Sequence, residues 1–377
     1  MNYLRLDEIC NLVMGQSPNS NSYNQNGDGI PFFQGNADFG GKHPITRVWC
    51  NNPIKIVTEG TLLISVRAPI GALNFAIEKS CIGRGLAGII AKDGYDLKYI
   101  YYALKYKKEE LNDKGTGSTF KAISKSSLGE LLIKNEPLEI QKKCVKELDL
   151  VYTIIENTEK QIKAYDNLIK SRFVEMFGDP VQNTKRWVKK PFLDMGNCKN
   201  GMNFHYEDTG IEINCLGVGD FKDLTFIDQV EKLPKVSLNK MPSEEYLLKD
   251  GDIVFVRSNG NKALVGRSVA VYPGNIPTTF SGFCIRYRKM EDAISVPYLL
   301  RVLKTDSMRQ KMAGRGANIQ NLNQQILGTL EIPVPPIELQ NQFAAFVRQV
   351  DKLRFEEEKR LKKTQLLFDS LMQQYFG

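Results

Sequence analysis

Apolar side chains between Cys144 and Met176 recur in alternating steps of four and three: Cys144, Leu148, Val151, Ile155, Thr158, Ile162, Tyr165, Ile169, Arg172 and Met176. A shift of 199 residues gives a second series: Phe343, Val347, Val350, Arg354, Glu357, Leu361, Thr364, Phe368, Leu371 and Tyr375. A 3.5-residue period marks a coiled-coil seam. Each stretch therefore predicts one long helix, about 60 Å at 1.5 Å per residue. Pro137 and Pro336 suit a first helical position, where the missing N–H costs nothing. Glu139 and Glu338 favour the positive end that follows, and Gly178-Asp179-Pro180 stops the first helix. Thr158 and Glu357 fall at equivalent places, a polar break expected to help fix the register.

The two helices are copies. Pro137-Leu-Glu-Ile-Gln141 to Phe177-Gly178 and Pro336-Ile-Glu-Leu-Gln340 to Phe376-Gly377 match without a gap over 42 residues. The register continues upstream, where Gly115, Gly117, Gly129, Leu131 and Ile133 pair with Gly314, Gly316, Gly328, Leu330 and Ile332. A fixed offset across such anchors is a tandem duplication.

Shorter apolar runs bounded by Gly, Pro and Asn predict strands at Ile30–Gly35 and Gly60–Arg67, with a helix over Tyr99–Leu111. Residues 179–334 repeat the plan: Gly210-Ile-Glu-Ile213 echoes Gly29-Ile-Pro-Phe32, and Gly251–Arg257 echoes Gly60–Arg67. A helix is expected over Pro297–Gln310. The sequence thus divides into mixed domains at 1–134 and 179–334 and helices at 135–178 and 335–377. The fold class is α+β, with two mixed α/β domains and two long helices forming an antiparallel coiled coil in an internal pseudo-twofold repeat. The second helix is expected to run back along the first, because the ends of a compact domain usually lie close together.

Charge sharpens this division. The chain carries a net +8, and the excess is +4 in each mixed domain, while the two helical segments cancel. Two equally basic domains suggest two equivalent surfaces facing a polyanion. Seven scattered cysteines without a Cys-x-x-Cys pair read as reduced thiols. With no leader-like or membrane-length apolar run, the expected location is the cytoplasm, which the resemblance given below would make that of a prokaryote.

A search for catalysis returns little. His43 and His205 are the only histidines, and neither has a second ligand at metal spacing. Asn52-Pro-Ile-Lys55 lacks the second proline and the aromatic of an amino-methyltransferase motif. Gly40-Gly-Lys-His43 lacks the Ser/Thr of a phosphate loop. The polar loops offer more. Readers of nucleic acid use Lys and Arg for phosphates and Arg, Asn or Gln for base edges. After the strand at Gly251–Arg257 come Arg257, Asn259, Asn261 and Lys262, with Arg67-Ala-Pro-Ile-Gly71 as the expected counterpart. The loop before the second long helix offers Arg315, Asn318 and Gln320. Its first-half equivalents are Lys114, Ser118, Thr119 and Lys121, and Lys42 joins the candidate DNA-binding set. No catalytic and no metal residue is assigned.

The Pro-(Leu/Ile)-Glu-(Ile/Leu)-Gln helix start, the Gly-rich loop before it, the Ile332-Pro-Val-Pro-Pro336 run and the Phe173-Val-Glu-Met-Phe-Gly-Asp179 ending together resemble the specificity (S) subunits of type I restriction–modification systems. The first half departs at Ile133-Lys-Asn-Glu-Pro137, which lacks the proline run. The resemblance implies two target recognition domains, each reading one half of a bipartite site in double-stranded DNA. It implies a helical spacer that docks two methyltransferase (M) subunits and, where cleavage accompanies modification, two restriction (R) subunits. S-adenosylmethionine, ATP and Mg would sit on those partners, and this chain would be non-catalytic, without a cofactor or a membrane partner. With about 34 Å of DNA per turn, the rod length would place the domains roughly one to two turns apart. A coiled-coil scaffold without sequence preference is the alternative.

Overall fold

The computed structural model describes residues 2–116, 121–204, 209–221, 225–313 and 321–377. Two helices of 40 residues, Leu138–Phe177 and Ile337–Phe376, are the longest elements. The chain forms two compact units, one of residues 1–160 with 357–377 and the other of residues 161–356. Each unit holds one mixed domain and part of both helices.

In the first unit an antiparallel sheet runs Cys10–Met14, Leu86–Ala91, Leu62–Ser65, Leu73–Phe75. A second sheet runs Tyr23–Asn24, Trp49–Cys50, Ile30–Phe33, Ser80–Ile82, Ile56–Val57, with a parallel pair between Phe32 and Cys81. The second unit repeats this as Gly196–Asn200, Cys284–Lys289, Asp252–Val256, Ser268–Val271, Phe226–Ile227, beside Lys235–Leu238, Ile211–Leu216, Thr278–Phe280. The central strand is buried on both faces, and its alternating side chains feed two cores. Ile253 and Phe255 enter the core shared with Phe173, Phe177 and Phe343 of the long helices. Val254 and Val256 enter the core of Leu216 and Phe280. Leu62 and Ile64 likewise face Cys144 and Leu148 of the first long helix, while Leu63 faces Phe33.

Each domain is closed where it meets the helices. Tyr3–Arg5 pairs with Leu132–Lys134, and Lys189–Pro191 pairs with Glu331–Pro333, both antiparallel. The strand–helix junction of the first half therefore forms without the proline run. The expected helices over Tyr99–Leu111 and Pro297–Gln310 are each two shorter ones, Leu97–Tyr106 with Lys108–Asp113 and Val296–Leu303 with Asp306–Ala313. Tyr99 Oη donates to Lys134 O at 3.0 Å, and Tyr298 Oη donates to Pro333 O at 2.8 Å. These are the same bond, 199 residues apart.

A buried glutamine joins each domain to its long helix. Gln141 accepts from Asp96 N at 2.8 Å and donates to Glu136 O at 2.7 Å. Gln340 accepts from Ser295 N at 2.8 Å and donates to Ala293 O at 2.9 Å and Pro335 O at 2.8 Å. Both are fully buried. The last residue of the Pro-x-Glu-x-Gln start is thus a staple between the start of the domain helix and the start of the long one.

Antiparallel packing is visible inside each unit. In the first, Tyr375 Oη donates to Glu147 Oε2 at 2.7 Å, and the rings of Phe368 and Tyr152 lie 5.9 Å apart. In the second, Phe173 and Phe177 each pack at 5.5 Å against Phe343, and Arg354 pairs with Asp166 at 3.2 Å. Cys144, Leu148, Val151, Ile155, Ile169, Phe343, Val350 and Phe368 of the predicted seam are buried. At the helix ends the burial moves one residue along, to Phe173, Phe177, Met372 and Phe376. There the helix packs on the domain as well as on its partner, which widens the apolar stripe beyond a strict seam. The Thr158 hydroxyl bonds to Ile154 O of its own helix at 2.8 Å, so it makes no cross-helix register pin.

Candidate nucleic-acid interface

The two domains end their central strands with one hydrogen-bond pattern. Val66 donates to Gly85 O at 2.9 Å and accepts from Ile123 N at 2.9 Å. Arg257 donates to Phe283 O at 2.8 Å and accepts from Leu322 N at 2.8 Å. Arg257 therefore corresponds to Val66 and not, as the sequence echo suggests, to Arg67. Adjacent residues of a strand point to opposite faces, so the two arginines are not equivalent readers. The slip arises because the echo sets eight residues, Gly60–Arg67, against seven, Gly251–Arg257, so that matching the arginines inserts a gap the strand lacks; the turns that follow also differ in length. Ser65 N bonds to Ala72 O across residues 66–71, whereas Val256 N bonds to Arg267 O across residues 257–266.

That longer turn carries Asn259, Asn261 and Lys262. Asn259 Oδ1 accepts from Asn261 N at 2.7 Å, and Asn261 Oδ1 accepts from Ala263 N at 3.1 Å. Side-chain oxygens so used imitate backbone turns and fix the loop. Arg309 grips the same loop from the helix Asp306–Ala313, donating to Ala263 O at 3.4 Å and Val265 O at 3.3 Å. Lys262 is exposed.

In the first domain, Arg67 forms a bridge with Ala122, and Ala68 N donates to Lys121 O at 3.1 Å. Arg67 and Lys121, both exposed, are therefore neighbours, though 54 positions apart in sequence. Lys114 lies 3.7 Å from Glu110 at the end of the preceding helix. Lys42 is placed elsewhere. Its ammonium pairs with Glu156 of the first long helix at 2.8 Å and lies 5.7 Å from the Tyr152 ring centre. The hydrogen bond to Glu156 is the main cause that raises its pKa. Ser118, Thr119, Arg315, Asn318, Gln320 and His205 lie outside the described residues. His43 Nδ1 is 2.9 Å from Phe75 O.

The structure adds a turn that composition did not single out. Gly83-Arg84-Gly85 and Ser281-Gly282-Phe283 are equivalent, since Leu86 N bonds to Gly83 O at 3.0 Å and Cys284 N bonds to Ser281 O at 2.8 Å. Each lies beside the strand end described above. The signal was present as a short Gly-flanked break before an apolar strand, but it looks like any other turn.

Among the described residues, no group of three or more His, Cys, Asp or Glu side chains is arranged to hold a metal ion. No described helix is long and apolar enough to cross a membrane. The seven cysteines are unpaired. Burial pushes the Cys10, Cys144, Cys198 and Cys215 thiols up to about 12, far from a reactive thiolate.

An α+β domain used twice, each copy clasped to a pair of antiparallel long helices, with polar turns at matched strand ends, is the architecture of a DNA specificity subunit. The chain belongs to the type I restriction modification DNA specificity domain family, which matches residues 1–164 and 218–366. It is 45% identical over 156 residues, 41% of this chain and 37% of the relative, to the putative type I restriction enzyme MjaX specificity subunit of Methanocaldococcus jannaschii. It is 34% identical over 206 residues, 54% of this chain and 43% of the relative, to the MjaIX specificity subunit of the same organism. The chain thus spans about two fifths of the length of these curated relatives. The crystal structure of the type I restriction–modification S subunit from M. genitalium shares the fold at 19% identity. Its TM-score is 0.60, over 100% of this chain and 96% of that one.

Proposed function

We propose that this chain is the sequence-reading subunit of a type I restriction–modification complex, with the domains at 1–134 and 179–334 each reading one half of a bipartite DNA site. One observation carries this reading. The framework hydrogen bonds repeat between the domains, while the turns they hold differ in length and side chains. A fixed frame with exchangeable turns suits a protein whose copies must read different bases.

The chemistry assigned to this chain is binding. Arg67, Lys121 and Lys262 would neutralise phosphates, which positions the protein without specifying sequence. Arg257, Asn259 and Asn261 would face base edges, where Arg favours guanine and Asn favours adenine. Ser118, Thr119, Arg315, Asn318 and Gln320 remain candidates for the same role, whereas the ion pair with Glu156 makes Lys42 the weakest of the set. The helices at 135–178 and 335–377 would set the gap between half-sites and dock two methyltransferase subunits. Exposed apolar side chains on both helices, including Leu150, Phe355 and Leu366, support docking. Methyl transfer from S-adenosylmethionine, and any ATP- and Mg-dependent cleavage by restriction subunits, would belong to those partners.

The test is a map of methylated adenines across the genome that encodes the chain, compared with a strain whose residues 1–134 are exchanged for those of a relative. The expected outcome is a bipartite motif in which one half changes while the other half and the gap persist. A motif changed in both halves, or an unchanged map, would refute the assignment.

A further inference from the structure

Phe283 is 62% exposed at the tip of the turn that precedes the strand Cys284–Lys289. Among the described residues, the other exposed rings of this domain, Phe226 and Tyr272, meet edge-on with centres 6.5 Å apart. Phe283 is instead held out on a fixed backbone. Gly282 N donates to Met202 O at 2.6 Å, and Phe283 N donates to Ser281 Oγ at 3.3 Å. Phe283 O accepts from Arg257 N at 2.8 Å and from Ser258 N at 3.4 Å. The Arg257 guanidinium closes the turn on Gly282 O at 3.3 Å. A Cβ at position 282 would stand 2.1 Å from Asn203 Oδ1, so a larger residue there would displace the Asn203 side chain. A large apolar side chain presented this way loses little conformational freedom on binding.

Its neighbours give the ring a meaning. It sits on the same strand end as Arg257 and beside the turn of Asn259, Asn261 and Lys262, all polar groups suited to DNA. The major groove offers one protruding apolar group, the 5-methyl of thymine, and phenylalanine is among the side chains that contact it. We propose that Phe283 is a specificity-determining residue that reads the methyl of a thymine in the half-site of the domain at 179–334. In the first domain the equivalent turn bears the exposed Arg84 between two glycines. Phe283 itself falls at the place of Gly85, so the two turns present their side chains one residue apart, a cation in one copy and an apolar ring in the other. The inference rests on the proposed reading of DNA.

The experiment uses the full chain assembled with its methyltransferase partners and a duplex bearing the mapped site. Each thymine of the second half-site is replaced in turn by deoxyuridine, which removes only the methyl. At one position the wild-type complex should lose about fourfold in affinity, the value of one buried methyl group, and Phe283→Ala should show no loss there. Phe283→Leu, which keeps an apolar contact, should retain part of the sensitivity. If the wild type prefers its site but no deoxyuridine effect depends on Phe283, this inference fails and the recognition function stands. If the wild type prefers no sequence, both fail.

Discussion

Replacing Gln340 by alanine should break the joint between the second domain and its long helix. The side chain is fully buried and makes three hydrogen bonds, to Ser295 N, Ala293 O and Pro335 O. Its removal leaves one backbone N–H and two carbonyls without these partners. A buried group left unmade costs about 1–3 kcal/mol, and water entering the new space offsets part of that. A loss of about 3–5 kcal/mol follows, a large share of the roughly 5–15 kcal/mol that stabilises a typical domain. Gln141 makes two such bonds and should cost about 2–4 kcal/mol by the same reasoning. The assay can separate the two units, because the chain has only two tryptophans. Trp49 lies in a strand of the first unit, and Trp187 donates from Nε1 to Phe177 O at 3.0 Å in the second. In a Trp49→Phe background, Gln340→Ala should lower the urea midpoint of Trp187 fluorescence by roughly 2 M, at about 2 kcal/mol per molar. In the reciprocal Trp187→Phe background, the Trp49 transition should move with Gln141→Ala. Gln340→Met keeps the volume but not the bonds and should be nearly as damaging. A methionine variant as stable as the wild type would show that packing, not hydrogen bonding, makes the joint.

Two further outcomes follow from buried charges of the second unit. Burial, and then Arg301 and Arg354, lower the Lys304 ammonium to about 8, against the pull of Asp351 and Asp166. Between about 8 and the ordinary 10.5 the unfolded chain holds more protons than the folded one, so this residue makes stability rise with pH across that window. Denaturation from pH 7.5 to 10 should show wild type gaining on Lys304→Met by up to about 3 kcal/mol. A constant difference would refute the assignment. Asp252 is 1% exposed and binds Arg288 through both oxygens, at 2.8 and 2.7 Å. Asp252→Ala should cost about 3 kcal/mol in the same assay, and pairing it with Arg288→Met should recover most of that, because the isolated charge is what destabilises.

The frame was legible because it repeats. One offset located both long helices, the Gly-rich segments before them and the domain helices. Periodicity alone missed what the offset could not encode. Phe173 and Phe177 are buried where the seam nominated Arg172 and Met176, because a helix end packed on two partners follows a wider stripe than a/d. The glutamine staples escaped for a different reason. Gln141 and Gln340 were visible as matched letters, but their partners Asp96 and Ser295 offer only backbone N–H groups, which no side-chain pattern reveals.

The reading turns were the least legible, and their divergence is what their proposed work requires. The echo Gly60–Arg67 with Gly251–Arg257 aligned two arginines, whereas the backbone aligns Arg257 with Val66. Matching by residue type set eight residues against seven, just before turns at 66–71 and 257–266 that differ in length. Hydrogen bonds do not go astray there, because the sheet keeps its partners whatever the turn contains. Ile123 N to Val66 O and Leu322 N to Arg257 O restore the correspondence: the donors keep the offset of 199 that governs the helices, while the acceptors stand 191 apart. The bond pattern, though not the offset, therefore extends to the edge of the variable turns. What lies beyond that edge, Arg67 and Lys121 in one domain and Asn259, Asn261, Lys262 and Phe283 in the other, can be exchanged without disturbing the frame. On the proposed reading, specificity and stability reside in different residues, and the Gln340 and Phe283 variants should separate them: the first should lower the unfolding midpoint, while the second alters a single base preference.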